Sequence, residues 1–102
     1  MAFVPLLAAS LLPPGRMTGV RVGALKVLLV NLGGVVHAYE DCCAHQQVEL
    51  SDGQLEGSIL TCWAHQWQYD VARGVGVNPT AVPMRRFEAK VEDGRIFVDL
   101  PA

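Results

Sequence analysis

Two short stretches of the sequence each place a cysteine close to a histidine, and both of these side chains bind metal ions. Cys43 and His45 form a C-x-H pair in "DCCAHQQ", and Cys62 and His65 form a C-x-x-H pair in "ILTCWAHQWQYD". Sixteen residues separate the two pairs. Each pair falls at a loop position beside a predicted strand, so two loops could face each other across one site. Chance rarely assembles two such pairs in a chain with three cysteines and three histidines.

A set of two cysteines and two histidines suits two kinds of metal centre. Zinc accepts four such ligands tetrahedrally, whereas a [2Fe–2S] cluster takes two thiolates on one iron and two imidazoles on the other. Zinc modules usually separate a cysteine pair from a histidine pair, but each loop here offers one of each. This mixing favours the two-iron centre, because each loop then reaches both irons. The alternative is a zinc-stabilised interaction module without a redox role.

The elements that must position these loops are short strands. No long stretch shows helical periodicity, and brief apolar runs alternate with turn signals, which predicts an all-β, small antiparallel sandwich or barrel. The stretch "GVRVGALKVLLVNLGGVVHAYED" predicts three strands with turns at Gly23 and at Gly33-Gly34. The clearest hairpin is "RRFEAKVEDGRIFVDL", in which apolar residues alternate on both sides of Asp93-Gly94.

Length and composition predict one domain that spans residues 1–102, with 51% hydrophobic and 18% charged residues. The net charge of −2 gives no general case for nucleic-acid binding. An odd number of cysteines is unlike a secreted disulfide framework and fits a reducing compartment. The apolar start "MAFVPLLAASLLPP" lacks a basic region, contains prolines and is too short to cross a bilayer. We therefore expect a first strand and a loop there, in a cytoplasmic protein without membrane association.

Charged residues are unevenly distributed along the chain. Between Val27 and Ala72 there is no Lys or Arg, although this stretch contains several acidic residues: Glu40, Asp41, Glu49, Asp52, Glu56 and Asp70. The stretch is either an ordinary solvated face or a docking surface for a basic partner, since opposite potentials steer encounter. On the second interpretation, Glu49, Asp52 and Glu56 are the expected docking residues.

The C-x-H…C-x-x-H motif resembles the Rieske iron–sulfur motif, and the chain from Val35 to Leu100 is similar to Rieske ferredoxins of bacterial oxygenases. The stretches "AHQWQYD" and "GVGVNP" most resemble ferredoxins of soluble di-iron monooxygenases that act on toluene or alkenes. The resemblance implies a Rieske fold with one [2Fe–2S] cluster, held in a subdomain of loops at about 41–48 and 61–69. A proline loop at about 74–83 would cover the cluster. The implied ligands are Cys43, His45, Cys62 and His65.

The resemblance also implies an electron carrier and not an enzyme. The protein would take single electrons from a flavin-containing NADH reductase and pass them to the hydroxylase component, a di-iron enzyme that oxygenates aromatic or alkene substrates. The alternative partner is a ring-hydroxylating Rieske dioxygenase. We expect the carrier to be monomeric on its own.

Residues close to the motif are expected to surround the cluster: Trp63, Trp67, Tyr69 and Pro79. The two tryptophans either shield the cluster by packing or contact a partner. Respiratory and photosynthetic Rieske proteins have a disulfide where this chain has Val48 and Ala64, and a serine where it has Trp67. Fewer donors to the sulfurs predict a reduction potential in the low Rieske range, about −150 to 0 mV.

Two further residues raise questions of assignment. Cys42 and His45 also read as C-x-x-H, but the Rieske register favours Cys43 as the ligand and leaves Cys42 as a small buried residue. His37 lies in "VVHAYED" without a partner at metal-binding spacing. We expect His37 to be structural.

Overall fold

The fold consists of short strands joined by tight turns. The computed structural model describes residues 2–43, 48–64, 66–78 and 81–101. The strands are β1 (Ala2–Ala8), β2 (Met17–Val22), β3 (Leu25–Leu32), β4 (Val35–Glu40), β5 (Gln54–Glu56), β6 (Ile59–Thr61), β7 (Gln68–Asp70), β8 (Val75–Asn78), β9 (Arg86–Phe87), β10 (Ala89–Glu92) and β11 (Arg95–Leu100). Two single-turn 3-10 helices occupy Ala9–Leu11 and Leu50–Asp52. The all-β prediction is confirmed, as is the first strand at the N terminus.

The strands form three antiparallel sheets. One sheet has the order β2-β3-β4-β9, the second β1-β11-β10, and the third β5-β6-β7-β8. The third sheet is built from consecutive strands and contains the loop that presents Cys62. No helix within the described residues is long and apolar enough to span a membrane.

Strand β3 is central because its sequence "LKVLLVNL" is apolar on both faces. Successive residues of a strand point to opposite faces, and Val27, Leu28, Leu29 and Val30 are all fully buried. Val27 and Leu29 pack with side chains of β9 and β11, whereas Leu28 and Val30 pack with side chains of β6 and β7. Each such side chain contributes about 1.5–3 kcal/mol when fully buried. The sheet β2-β3-β4-β9 thus has the second sheet on one face and the third on the other.

The predicted hairpin near the C terminus forms, with one correction. Asp93 and Gly94 both have positive φ, 53° and 75°, as a two-residue type I′ turn requires. Strands β10 and β11 pair across this turn. Phe87, however, lies outside the hairpin, because β9 pairs with β4 in a different sheet. The chain changes sheets at Glu88, whose carbonyl still accepts a hydrogen bond from the Asp99 N–H at 2.9 Å.

The third sheet corrects the boundaries of the predicted loops. The loop predicted at about 74–83 contains strand β8, and the loop at about 61–69 is shortened by β6 and β7. Pairing with β7 orders the glycine-containing segment Val75–Asn78, and short-range composition does not reveal that pairing. Gly53 immediately precedes β5 and lies against the Thr61 carbonyl, where an added Cβ would overlap that oxygen.

Candidate metal centre

The two predicted cysteine ligands meet in the core. Cys43 follows β4 and is 2% exposed, and Cys62 follows β6 and is fully buried. The Cys43 side chain lies within hydrogen-bonding reach of the Cys62 thiol, and neither residue is in a disulfide. Cys43 and Cys62, which are 19 positions apart in the sequence, therefore place two sulfur ligands beside each other in the core. His45 and His65 lie outside the described residues.

A hydroxyl group faces the Cys43 sulfur. The Tyr69 Oη lies 3.2 Å from the Cys43 Sγ in a buried contact. A metal-bound thiolate has no proton to donate, so in the loaded site the phenol O–H donates and the sulfur accepts. Tyr69 reaches this position because it lies on β7, opposite Leu60 of the strand that leads to Cys62.

Each of the two loops is closed by the backbone of its own cysteine. The Cys43 N–H donates to the Val48 carbonyl at 2.9 Å, and the Cys62 N–H donates to the Trp67 carbonyl at 2.7 Å. The second loop turns back through Gln66, which has a left-handed φ of 56°. The backbone of each cysteine is therefore held by a hydrogen bond to a residue on the far side of its loop.

Burial disfavours the thiolate form of Cys62, so Cys62 is not an activated free nucleophile. Burial is the main cause that raises the pKa of the Cys62 thiol; a hydrogen bond from the Ala64 backbone lowers this pKa, and Cys43 raises it. A thiol ligates metal as thiolate, so metal binding here must release a proton. Two adjacent buried thiols provide the pair of sulfur ligands that one iron of a mixed cysteine and histidine cluster requires.

Comparison with known proteins identifies the family. The Rieske [2Fe-2S] domain family matches residues 2–88. The chain belongs to the Rieske family. The cofactor of this family is a single [2Fe–2S] cluster, in agreement with the sequence-based prediction.

Relatives of this Rieske protein include ferredoxin components of oxygenase systems. The ferredoxin component of the alkene monooxygenase system of Xanthobacter autotrophicus is 42% identical over 97 residues, which cover 94% of this chain and 80% of the relative. The ferredoxin component of biphenyl 2,3-dioxygenase from Rhodococcus jostii is 34% identical, covering 98% of this chain and 94% of the relative. A solved complex of reduced oxygenase and oxidized ferredoxin in carbazole 1,9a-dioxygenase contains a similar chain, with a TM-score of 0.85 and 34% identity, covering 94% of this chain and 91% of that chain. The predicted Rieske fold and the role as an electron-transfer component are confirmed.

Apolar side chains occupy positions 48 and 64, the positions that correspond to the disulfide of respiratory and photosynthetic Rieske proteins. Ala64 belongs to the hydrophobic cluster that contains Cys43 and Cys62, and the partly buried Val48 packs against it. Trp67 is partly buried and packs against the same hydrophobic cluster. Trp63, by contrast, is 60% exposed, so its ring shields little and is available to a partner.

The structure separates Cys42 from the thiol pair. Cys43 is the residue whose side chain contacts Cys62, whereas the half-buried Cys42 directs its Sγ toward the Cys43 carbonyl oxygen at 3.6 Å. This arrangement supports the register in which Cys43 is the ligand.

His37 lies in β4 with its Nδ1 3.0 Å from the Arg86 Nη2, which supports a structural role.

The predicted docking residues differ in how their charge is compensated. Glu49 forms an ion pair with Lys26, with 3.0 Å between Oε1 and Nζ. Asp52 and Glu56 are exposed, and neither forms an ion pair with another residue in the described part of the chain. Lys26 precedes the acidic stretch in the sequence but pairs with Glu49 in space, and a count of formal charges along the chain does not reveal this contact.

Proposed function

We propose that this Rieske ferredoxin carries single electrons from an NADH-dependent flavoprotein reductase to the di-iron hydroxylase of an aromatic or alkene monooxygenase system. The observation that most favours a monooxygenase is the 42% identity to an alkene monooxygenase ferredoxin, against 34% for the biphenyl dioxygenase ferredoxin. The ferredoxin of a ring-hydroxylating dioxygenase is the second candidate, because several of the relatives serve such systems.

The proposed ligands are Cys43 and Cys62 on one iron and His45 and His65 on the other. The buried contact between the two thiols supports the sulfur half of this set. When bound, the cluster supplies reversible one-electron chemistry. Tyr69 would donate its hydroxyl proton to the Cys43 sulfur, and Trp67 would exclude water from the buried side. We assign Pro79 to the covering loop from the resemblance alone, since it lies outside the described residues.

The proposed docking residues for both partners are Trp63 of the second loop and the acidic residues Asp52 and Glu56, of which Glu56 pairs with Ile59 at the end of β6 away from that loop. The exposed Trp63 ring supplies apolar contact, and Asp52 and Glu56 supply uncompensated negative charge. Glu49 contributes less, because Lys26 already neutralises it. A partner with a basic rim around an apolar depression would match this surface, with rim charges acting mainly on the association rate. Reductase and hydroxylase would then compete, and the ferredoxin would shuttle between them.

We further propose that residues 1–102 form one domain that acts as a monomer in the cytoplasm, without nucleic-acid or membrane partners. The packing supports one domain. Strand β3 lies in one sheet, but its buried side chains contribute to both hydrophobic clusters and so join the three sheets. The three free cysteines are consistent with a reducing compartment.

Reconstituted turnover tests the proposal. The cluster-loaded protein would be combined with an NADH reductase and either an alkene monooxygenase hydroxylase or a ring-hydroxylating dioxygenase, and product would be measured against NADH consumed. We expect coupled product formation with the monooxygenase and slower turnover with the dioxygenase. A Cys43→Ser variant provides the control without functional cluster. Faster turnover with the dioxygenase would replace the first candidate with the second.

A further inference from the structure

The two ends of the first cluster loop are joined by a buried side chain. Asp41 is 3% exposed and precedes Cys43 by two residues. Its Oδ1 accepts a hydrogen bond from the Ser51 N–H at 2.8 Å, and its Oδ2 accepts one from the Ser51 Oγ at 2.6 Å. One carboxyl group thus closes the segment 42–50 at its base, and that segment contains both proposed ligands of the first loop.

The rest of the structure is arranged around this contact. The Asp41 N–H donates to the Lys26 carbonyl of β3 at 2.9 Å, and Lys26 also pairs with Glu49 of the same loop at 3.0 Å. Gly19 of β2 lies against the pair, where an added Cβ would be 2.6 Å from both the Asp41 Oδ2 and the Ser51 Oγ. The absence of a side chain at position 19 therefore leaves the space that these two residues need.

We propose that Asp41 and Ser51 form a clamp that positions the first loop, so that Cys43 is held in register with Cys62. Asp41 and Ser51 are positioning residues that act through the loop and not by contact with the cluster. The clamp joins Asp41 to Ser51 at the two ends of the loop, and the hydrogen bond from the Cys43 N–H to the Val48 carbonyl joins two further residues between them. Without the clamp, the loop would sample wider separations of the two sulfurs. The inference rests on the proposed assignment of Cys43 as a ligand.

Three substitutions on different elements test the clamp. Ser51→Ala removes the hydroxyl donor, Asp41→Asn replaces one acceptor oxygen with an amide donor, and Gly19→Ala inserts a methyl group against both partners without altering either. Each variant is loaded with cluster, and two quantities are measured: the rate at which visible absorption decays in the presence of an iron chelator, and the EPR linewidth of the reduced protein. We expect all three to lose the cluster at least about fivefold faster, as expected from one buried hydrogen bond, and to broaden the EPR signal.

Asn31→Ala is the matched control for a general loss of stability. Asn31 is also buried and polar, and it donates to the Leu12 carbonyl and accepts from the Gly34 N–H, both at 2.8 Å. It lies five residues along β3 from Lys26, about 17 Å away at the usual rise per residue. This variant should unfold more easily but keep the wild-type rate of cluster loss and the wild-type linewidth.

The outcomes separate the clamp from the ligand assignment. Wild-type loss rates and linewidths in Ser51→Ala and Gly19→Ala would overturn the clamp, as would an equal effect of Asn31→Ala on both quantities. The Cys43→Ser variant tests the assignment itself: retention of a normal cluster there would show that the ligand set is wrong, whatever the clamp variants do. If Asp41→Asn does not fold, the other two variants still decide the question.

Discussion

The contact between Tyr69 and Cys43 makes a quantitative prediction for the reduction potential. Tyr69→Phe removes only the hydroxyl that lies 3.2 Å from the Cys43 Sγ and leaves the buried ring in place. Reduction adds negative charge to the cluster and its sulfurs, so a donated hydrogen bond stabilises the reduced state more than the oxidised state. Removing that bond should therefore lower the potential.

The magnitude follows from the usual strength of such a bond. A hydrogen bond contributes about 0.5–1.5 kcal/mol net, and a one-electron couple changes by about 59 mV for each tenfold change in equilibrium, or about 1.4 kcal/mol. If most of the bond strength is gained on reduction, the potential of Tyr69→Phe should lie about 20–60 mV below that of the wild type. An anaerobic redox titration monitored by visible absorption measures this difference.

Tyr39→Phe is the matched control for the loss of a phenol. Its hydroxyl is also buried, but it donates to the Val71 carbonyl at 2.6 Å. This variant should retain the wild-type potential to within about 10 mV, since its donor does not face a cluster sulfur. An unchanged potential in Tyr69→Phe, or an equal shift in both variants, would refute the assignment of Tyr69 as a donor to the cluster.

Three further predictions concern stability, pH and Cys42. Tyr39→Phe should lower the free energy of unfolding by about 1–3 kcal/mol in a urea titration, because it leaves the buried Val71 carbonyl without its donor. Burial and then Arg86 lower the pKa of His37 below its usual value of 6.5, so the unfolded chain binds the proton more readily and stability should fall as the pH drops through the region just below 6.5. Arg86→Met should raise the pKa of His37 toward 6.5 in an NMR titration and lessen that loss; no change in pKa would exclude the Arg86 contribution. Cys42→Ser should bind a full complement of iron and sulfide, and loss of the cluster in this variant would move the ligand assignment to Cys42.

Local sequence patterns predicted the strands well where alternating apolar residues flank a pair of residues that favours a tight turn. The pair Asp93-Gly94 marks a type I′ turn between alternating segments, and both residues adopt the positive φ that the turn needs. The run "LKVLLVNL" is apolar on both faces because two layers cover it, but the sequence does not say which strands those layers contain. Phe87 lies in the sheet β2-β3-β4-β9 because it pairs with Ala38, a residue far away in the sequence. Local sequence patterns do not reveal such a long-range pairing.

The residue types of the candidate site could be predicted from the sequence, but the hydrogen bonds and ion pairs that surround the proposed ligands could not. Spacing of cysteine and histidine predicts the ligands, since metal chemistry restricts them to a few residue types. Tyr69 could be named from the resemblance, but its hydrogen bond to Cys43 depends on the register of β7 against β6. The contacts of Asp41 with Ser51 and of Lys26 with Glu49 join residues that look like ordinary polar or charged surface residues in the sequence.

Pulsed EPR of the reduced protein tests the central claim most directly, because it detects nuclei bonded to the iron centre. If Cys43 and Cys62 ligate one iron and His45 and His65 the other, the spectrum should contain two distinct nitrogen couplings. Each histidine variant should then lose one coupling or the cluster. A reduced protein that shows no nitrogen coupling, or a protein that contains zinc and no reducible centre, would contradict the account.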